Sequence, residues 1–201
     1  MTRRIALTGG IATGKSHVRA QFEALGAPTI DADVLSRQAV EPGTPGQAAV
    51  VARFGDGILD PAGALDRPRL GAIVFGDPQA RRDLELIVHP FVRRAIDDWF
   101  ASLEASGQPL GIADIPLLYE TGRHGDFDAV IVAACDPAAQ LTRVMARDQL
   151  SEAEARLRIG AQLPIDEKVR RADHVIRTDG TYEETERQAR AVLEMLLSGG
   201  G

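Results

Sequence analysis

Near the start of the chain, Gly9-Gly10-Ile11-Ala12-Thr13-Gly14-Lys15-Ser16 reads G-x-x-x-x-G-K-S. The apolar run Ile5-Ala6-Leu7-Thr8 precedes it, and a helix-compatible stretch, residues 16–25, follows and is closed by Gly26. Strand, glycine-rich loop and helix are the context in which this spacing cradles phosphate. Glycines let successive backbone N–H groups turn inward around phosphate oxygens, and the helix presents its positive N-terminus to the same anion. Lys15 is placed to reach the β- and γ-phosphates, and the Ser16 hydroxyl to ligate Mg²⁺. The bland alternative is a strand-to-helix turn with no ligand. Lysine usage adds weight to the functional reading: Lys15 and Lys168 are the only lysines, and arginine serves wherever else a cation appears. A point charge stands where a phosphate loop needs one in place of a planar fork.

At 201 residues the chain is long enough for one large domain or a core with small insertions. With aromatics at 4%, Leu, Val, Ile and Ala must fill the core. A net charge of −6 argues against a broad nucleic-acid or anionic-membrane surface, while leaving room for a local basic pocket. No apolar run approaches the ~18 residues of a membrane span. Met-Thr-Arg-Arg leads directly into the first strand, so no cleaved signal is expected. The single cysteine, Cys135, excludes an intrachain disulfide, and a cytoplasmic protein is the expectation.

Apolar runs at residues 4–8, 28–30, 110–115, 129–134 and 174–177 alternate with helical patterns. That alternation predicts an α/β fold, a parallel five-stranded sheet covered on both faces. Asp77-Pro78 and Asp136-Pro137 read as N-caps followed by proline, and Ser151-Glu152-Ala153-Glu154 as a capping box. A final amphipathic helix is expected over residues 181–197, with 198–201 as a frayed tail. The core is expected at about residues 1–30, 108–137 and 166–201. Residues 31–107 read as a helical insertion that binds the acceptor, and residues 138–165, rich in arginine, as a lid.

Asp31-Ala32-Asp33 follows the second predicted strand, so both carboxylates lie toward the phosphate loop's end of the sheet. There one can accept a hydroxyl proton or help hold Mg²⁺. Asp31 reads equally well as the cap of a helix starting at Ala32; Asp33 lies beyond the cap and is the stronger candidate. Arg143 and Arg147, spaced i, i+4, share a helix face and suit the charge on a transferring phosphoryl group. A solvated face paired with Asp148 or Glu152 is the alternative. His89-Pro90 reads as the start of a helix, its histidine a structural hydrogen-bonder on residue type alone. Asp114 and Glu120 read as carboxylates at the sheet's carboxyl edge, either of which could belong to a loop or a cap. The remaining histidines lack zinc-ligand spacing.

These residues in this order resemble the dephospho-coenzyme A kinase family along nearly the whole chain. The resemblance is carried by Leu7-Thr8-Gly9-Gly10-Ile11, Ile30-Asp31-Ala32-Asp33, Pro42-Gly43, Phe54-Gly55 and Gly63-Ala64-Leu65-Asp66-Arg67. It continues in Ile87-Val88-His89-Pro90, Asp114-Ile115-Pro116-Leu117-Leu118-Tyr119-Glu120, Arg147-Asp148, residues 155–162 and Ala172-Asp173. It implies a P-loop fold similar to nucleoside monophosphate kinases, with a nucleotide core, a helical acceptor domain and a lid. The implied activity is transfer of the ATP γ-phosphate to the ribose 3′-hydroxyl of dephospho-CoA, with Mg²⁺, in a monomer or weak homo-oligomer. Carried over, Gly10, Ile11, Ala12, Thr13, Gly14, Lys15, Ser16, His17 and Arg143 bind ATP. Asp33 is the base, Lys15 and Arg147 steady the phosphoryl group, and Ser16, with Asp33 as a second candidate, holds the metal. Asp33, Arg67, His89, Leu117 and Glu120 are implied on the acceptor side. Two positions depart from the family: His17 stands where threonine is usual, and Thr178 where asparagine is usual.

Overall fold

Five strands form where the apolar runs predicted them: β1 (Arg3–Gly9), β2 (Thr29–Asp31), β3 (Leu110–Asp114), β4 (Ala129–Ala134) and β5 (His174–Arg177). The structure, a computed structural model, describes residues 1–199, so the end of the expected tail lies outside the described residues. The sheet order is β2-β3-β1-β4-β5. β1 pairs in parallel with β3 and β4, and β4 with β5, setting Ile5 between Ile112 and Ala129. Every residue of β3 and β4 is buried, as expected for strands covered on both faces. Helices α1 (Lys15–Ala24) and α9 (Tyr182–Ser198) bring Val18, Phe22, Val192, Leu193 and Leu196 onto Ile5, Leu7, Ile112, Ile131 and Ile176. Cys135, just past β4, is 1% exposed.

The chain divides into two compact units, one of residues 1–30 with the chain from Phe100 on, the other Asp31–Trp99. The second unit holds α2 (Ala32–Gln38), α3 (Pro45–Phe54), α4 (Arg67–Gly76) and most of α5 (Pro78–Ala105). Val40, Val50, Ile58 and Leu70 form its core, with Phe54, Leu84, Ile87 and Val88 packed against them. No strand forms there; a single antiparallel bridge joins Leu59 and Leu65. Pro90 corrects the sequence reading: it lies inside α5 and starts no helix. The start is set twelve residues earlier, where the Asp77 carboxylate accepts from the Gln79 N–H at 2.7 Å and Pro78 takes the first position. A proline within removes only one backbone donor from a helix of 28 residues.

Caps account for most other boundaries. Ser151 and Thr181 each complete a capping box, opening α7 (Glu152–Gly160) and α9. Asp31 caps α2, its side chain accepting from the N–H of Asp33 at 2.8 Å and of Val34 at 3.4 Å. Asp136 stands at the N-cap of α6 (Pro137–Asp148), yet its side chain leaves the helix amides alone and pairs with Arg177 at 2.7 Å. A guanidinium with five donors outcompetes neutral amides for that carboxylate. Arg177 also grips Asp179 through two bonds, at 2.7 and 3.2 Å, and holds its carboxyl below the usual carboxylate range.

Asp31→Ala should lose about 1 kcal/mol in urea unfolding, while Asp31→Asn, which keeps an accepting oxygen, should lose only a few tenths. For Asp179 the sign follows from a lowered folded-state pKa: its stabilisation is full above the unfolded-state value and disappears as pH falls through the folded one. Wild type should therefore lose urea resistance below about pH 4 more steeply than Asp179→Asn. Parallel acid limbs for the two proteins would remove Asp179 from the account.

Candidate nucleotide-phosphate site

β1 ends at Gly9 and α1 begins at Lys15, so the loop must reverse within five residues. Ala12 (φ 57°) and Gly14 (φ 83°) both take left-handed backbone, which turns the loop back on itself. For Ala12 that conformation costs about 1 kcal/mol or more and persists only where neighbours enforce it. The enforcement is visible. The Ile11 N–H donates to Gln162 Oε1 at 2.7 Å, and the Ile11 carbonyl accepts from Gln140 Nε2 at 2.9 Å. Thr13 Oγ1 donates to the Gly10 carbonyl at 2.9 Å, and Thr178 Oγ1 donates to the Thr13 carbonyl at 2.6 Å. Gly9 is required by closeness: a Cβ there would lie 2.6 Å from Thr13 Oγ1 and 2.7 Å from the Ala133 carbonyl oxygen.

Lys15 heads α1, and its ammonium is paired with the Asp114 carboxylate at the end of β3. Asp114 is 1% exposed, and Arg19 Nη1 approaches its other oxygen at 3.6 Å. The strand register sets Asp114 opposite Leu7. A buried carboxylate thus steadies the loop's one ammonium near the position where phosphate charge is expected. The signal in the sequence was a charged residue ending an otherwise apolar strand, and it read there only as a loop or cap carboxylate. Ser16 is exposed in the first turn of α1. Among the described residues no group of three or more His, Cys, Asp or Glu could hold a metal ion. One hydroxyl offered beside phosphate and water oxygens is nonetheless the hard-oxygen donor set that Mg²⁺ takes, so the residues fit such an ion.

Three helices carry the arginine-rich stretch: α6, α7 and α8 (Ile165–Arg170). Arg143 donates to the Thr178 hydroxyl at 3.2 Å and to its carbonyl at 2.6 Å. Arg143 and Thr178 line a cavity of about 490 Å³ together with Ala12, Gly14, His17 and Tyr182. The His17 ring meets Tyr182 edge to face, centroids 4.8 Å apart. Arg147, 56% exposed, forms two bonds to Asp148, at 2.8 and 3.0 Å, and Arg158 reaches the same carboxylate at 3.0 Å. The two arginines of the predicted face therefore have different partners, Thr178 for one and Asp148 for the other.

Leu117 is exposed in the turn after β3. Glu120 is engaged with its own chain: Oε1 accepts from the Leu163 N–H at 2.9 Å and from the Lys168 ammonium at 2.8 Å. Asp33, Arg67 and His89 present exposed side chains within the Asp31–Trp99 unit. Sequence reasoning missed Gln140, Gln162 and Lys168, which shape the loop from outside it. Their signal was faint: Gln140 and Lys168 are single polar residues within helices, and Gln162 one in the turn between α7 and α8.

A family model for dephospho-CoA kinase matches residues 3–184. The chain is 51% identical over 199 residues to the dephospho-CoA kinase of Anaeromyxobacter dehalogenans, spanning 99% of this chain and 94% of that protein. Among solved structures, TT1252 of Thermus thermophilus aligns with a TM-score of 0.81 at 36% identity, over 97% of this chain and 98% of that one. The dephospho-CoA kinase of Campylobacter jejuni aligns over the full length of both chains, with a TM-score of 0.76 and 28% identity. A phosphate loop with its ammonium seated on a buried carboxylate, on a five-stranded sheet of this order, is thus matched along almost the entire sequence, and the chain belongs to the dephospho-CoA kinase family.

Proposed function

We propose that the chain transfers the γ-phosphoryl group of ATP to the ribose 3′-hydroxyl of dephospho-CoA, yielding coenzyme A and ADP, the final step of coenzyme A synthesis. The observation that carries the reading is the loop itself, bent through Ala12 and Gly14, bonded in place by Gln140, Gln162 and Thr178, with Lys15 at its helical end. Phosphoryl transfer asks for little covalent help and much positioning, and this site supplies position. Within the run from Gly10 to His17, the amides that do not bond to the chain's own oxygens, as those of Ile11 and His17 do, turn to the donor's phosphates, and Lys15 neutralises charge on the β- and γ-groups. A divalent cation, Mg²⁺ by the hardness of its donors, would rest on Ser16 and offset further phosphate charge; Asp33 is its second candidate ligand. The nucleoside is placed in the cavity between His17, Arg143, Thr178 and Tyr182.

Asp33 is assigned the acceptor's proton. Its backbone N–H is taken by Asp31, while its carboxylate is exposed at the first turn of α2 and available to a hydroxyl. Arg147, itself exposed and so able to exchange Asp148 for phosphate oxygens, steadies the transferring group. Arg67, His89 and Leu117 are assigned to the acceptor side; Glu120, which the resemblance also put there, is engaged with Leu163 and Lys168. The Asp31–Trp99 unit serves as acceptor domain, and residues 138–165 as a lid that keeps water from competing. No helix among the described residues is long and apolar enough to cross a membrane, which accords with the cytoplasmic setting proposed for the reaction.

Incubation with ATP, Mg²⁺ and dephospho-CoA should add one phosphate by mass, whereas adenosine, AMP and shikimate run beside it should not be phosphorylated comparably. Lys15→Ala and Asp33→Asn should each lower turnover at least about a hundredfold; the unfolding midpoint should hold in Asp33→Asn and fall in Lys15→Ala, which takes the ammonium from the buried Asp114 carboxylate. Near-normal turnover in Asp33→Asn ends its assignment as base. ATP hydrolysis without acceptor should be slow; rapid hydrolysis would refute the lid's exclusion of water.

A further inference from the structure

Lys168 is a charged side chain that the fold takes fully out of water, with 0% of it exposed. Burial pulls its pKa down, and the Glu120 carboxylate acts against that fall. Burying an ammonium is costly, and an apolar residue of the same length would fill the space without that cost. All three of its N–H groups have acceptors: the Gly9 carbonyl at 3.2 Å, the Pro116 carbonyl at 3.1 Å and Glu120 Oε1 at 2.8 Å. The identity of those acceptors gives the lysine its meaning. Gly9 is the last residue of β1 before the phosphate loop. Pro116 lies two residues beyond Asp114, the partner of Lys15, and its carbonyl also accepts from Thr8 Oγ1 at 3.1 Å. Glu120 holds the Leu163 N–H, and Leu163 adjoins Gln162, which accepts from the Ile11 N–H.

The contacts close a ring: Lys168 to Gly9, along the loop to Ile11, across to Gln162 and Leu163, on to Glu120, and back to Lys168. We infer that Lys168 and Glu120 are positioning residues for phosphoryl transfer, pinning the turn between α7 and α8 against the phosphate loop so that Gln162 holds the Ile11 peptide in its phosphate-ready shape. Neither touches the reacting atoms in this account; both act through Ile11 and the strained Ala12 beside it. The inference rests on the loop's being the phosphate site and assigns Glu120 to the donor side of the reaction.

A purely cohesive ion pair predicts something different from a positioning one. When both members of a buried pair become apolar, stability is commonly retained, because no lone charge is left behind. We therefore compare Lys168→Met/Glu120→Leu and, separately, Gln162→Leu with wild type. The readouts are thermal midpoint, kcat and KM, and calorimetric affinity for ADP and for adenosine. The expected result is a midpoint within a few degrees of wild type, ADP affinity weaker by roughly tenfold, adenosine affinity within about twofold, and kcat lower by roughly tenfold at saturating substrates. Unchanged ADP affinity, or equal losses for ADP and adenosine, overturns the inference. Should the double variant fail to fold, Gln162→Leu, at a partly exposed and uncharged residue, decides by the same ADP-against-adenosine comparison. Failure of wild type to phosphorylate dephospho-CoA would instead strike the functional reading, which the binding measurements do not depend on.

Discussion

The pairing of Lys15 with Asp114 organises this molecule. An ammonium meant for phosphate needs a counter-charge that holds it at the loop's helical end. Asp114 meets that need because the register of β3 against β1 sets it level with Leu7. The order of the sheet is therefore a condition for the placing of that ammonium. Strand β3 must lie next to β1, and an excursion of some eighty residues between β2 and β3 is tolerated because the pairing, and no contact along the chain, decides the site.

Much of this was legible in the sequence. All five strands lie within a residue or two of their apolar runs, since a strand buried on both faces has little choice but Val, Ile, Leu and Ala. The capping box at Ser151 was equally plain, being local chemistry with a local signal. Pro90 misled because proline opens helices more often than it sits within them, and Asp77-Pro78 upstream had already fixed the start. Asp136 misled because its partner, Arg177, is distant in sequence.

The phosphate loop shows the same division between near and far. Its motif named its own residues, but the groups that hold its shape come from elsewhere: Gln140 on α6, Gln162 after α7, Lys168 on α8 and Thr178 after β5. None belongs to a recognisable spacing, since each meets the loop through a contact that only the folded chain creates. The helical stretch after β4 is consequently fastened to the loop at several points while its outward arginines, Arg147 and Arg158, share the Asp148 carboxylate near solvent. A segment rigid at its root and charged at its rim suits the lid role proposed for it.

The chain's one thiol, Cys135, lies beneath this same region, closed off from solvent at the end of β4, and burial raises its pKa. Thiolate is the form that attacks peroxide and disulfides, so Cys135 is shielded both by access and by protonation. An enzyme that makes a thiol-bearing product would otherwise risk forming mixed disulfides with it. By keeping its sole sulfhydryl inert, the fold leaves redox chemistry to the molecule it finishes.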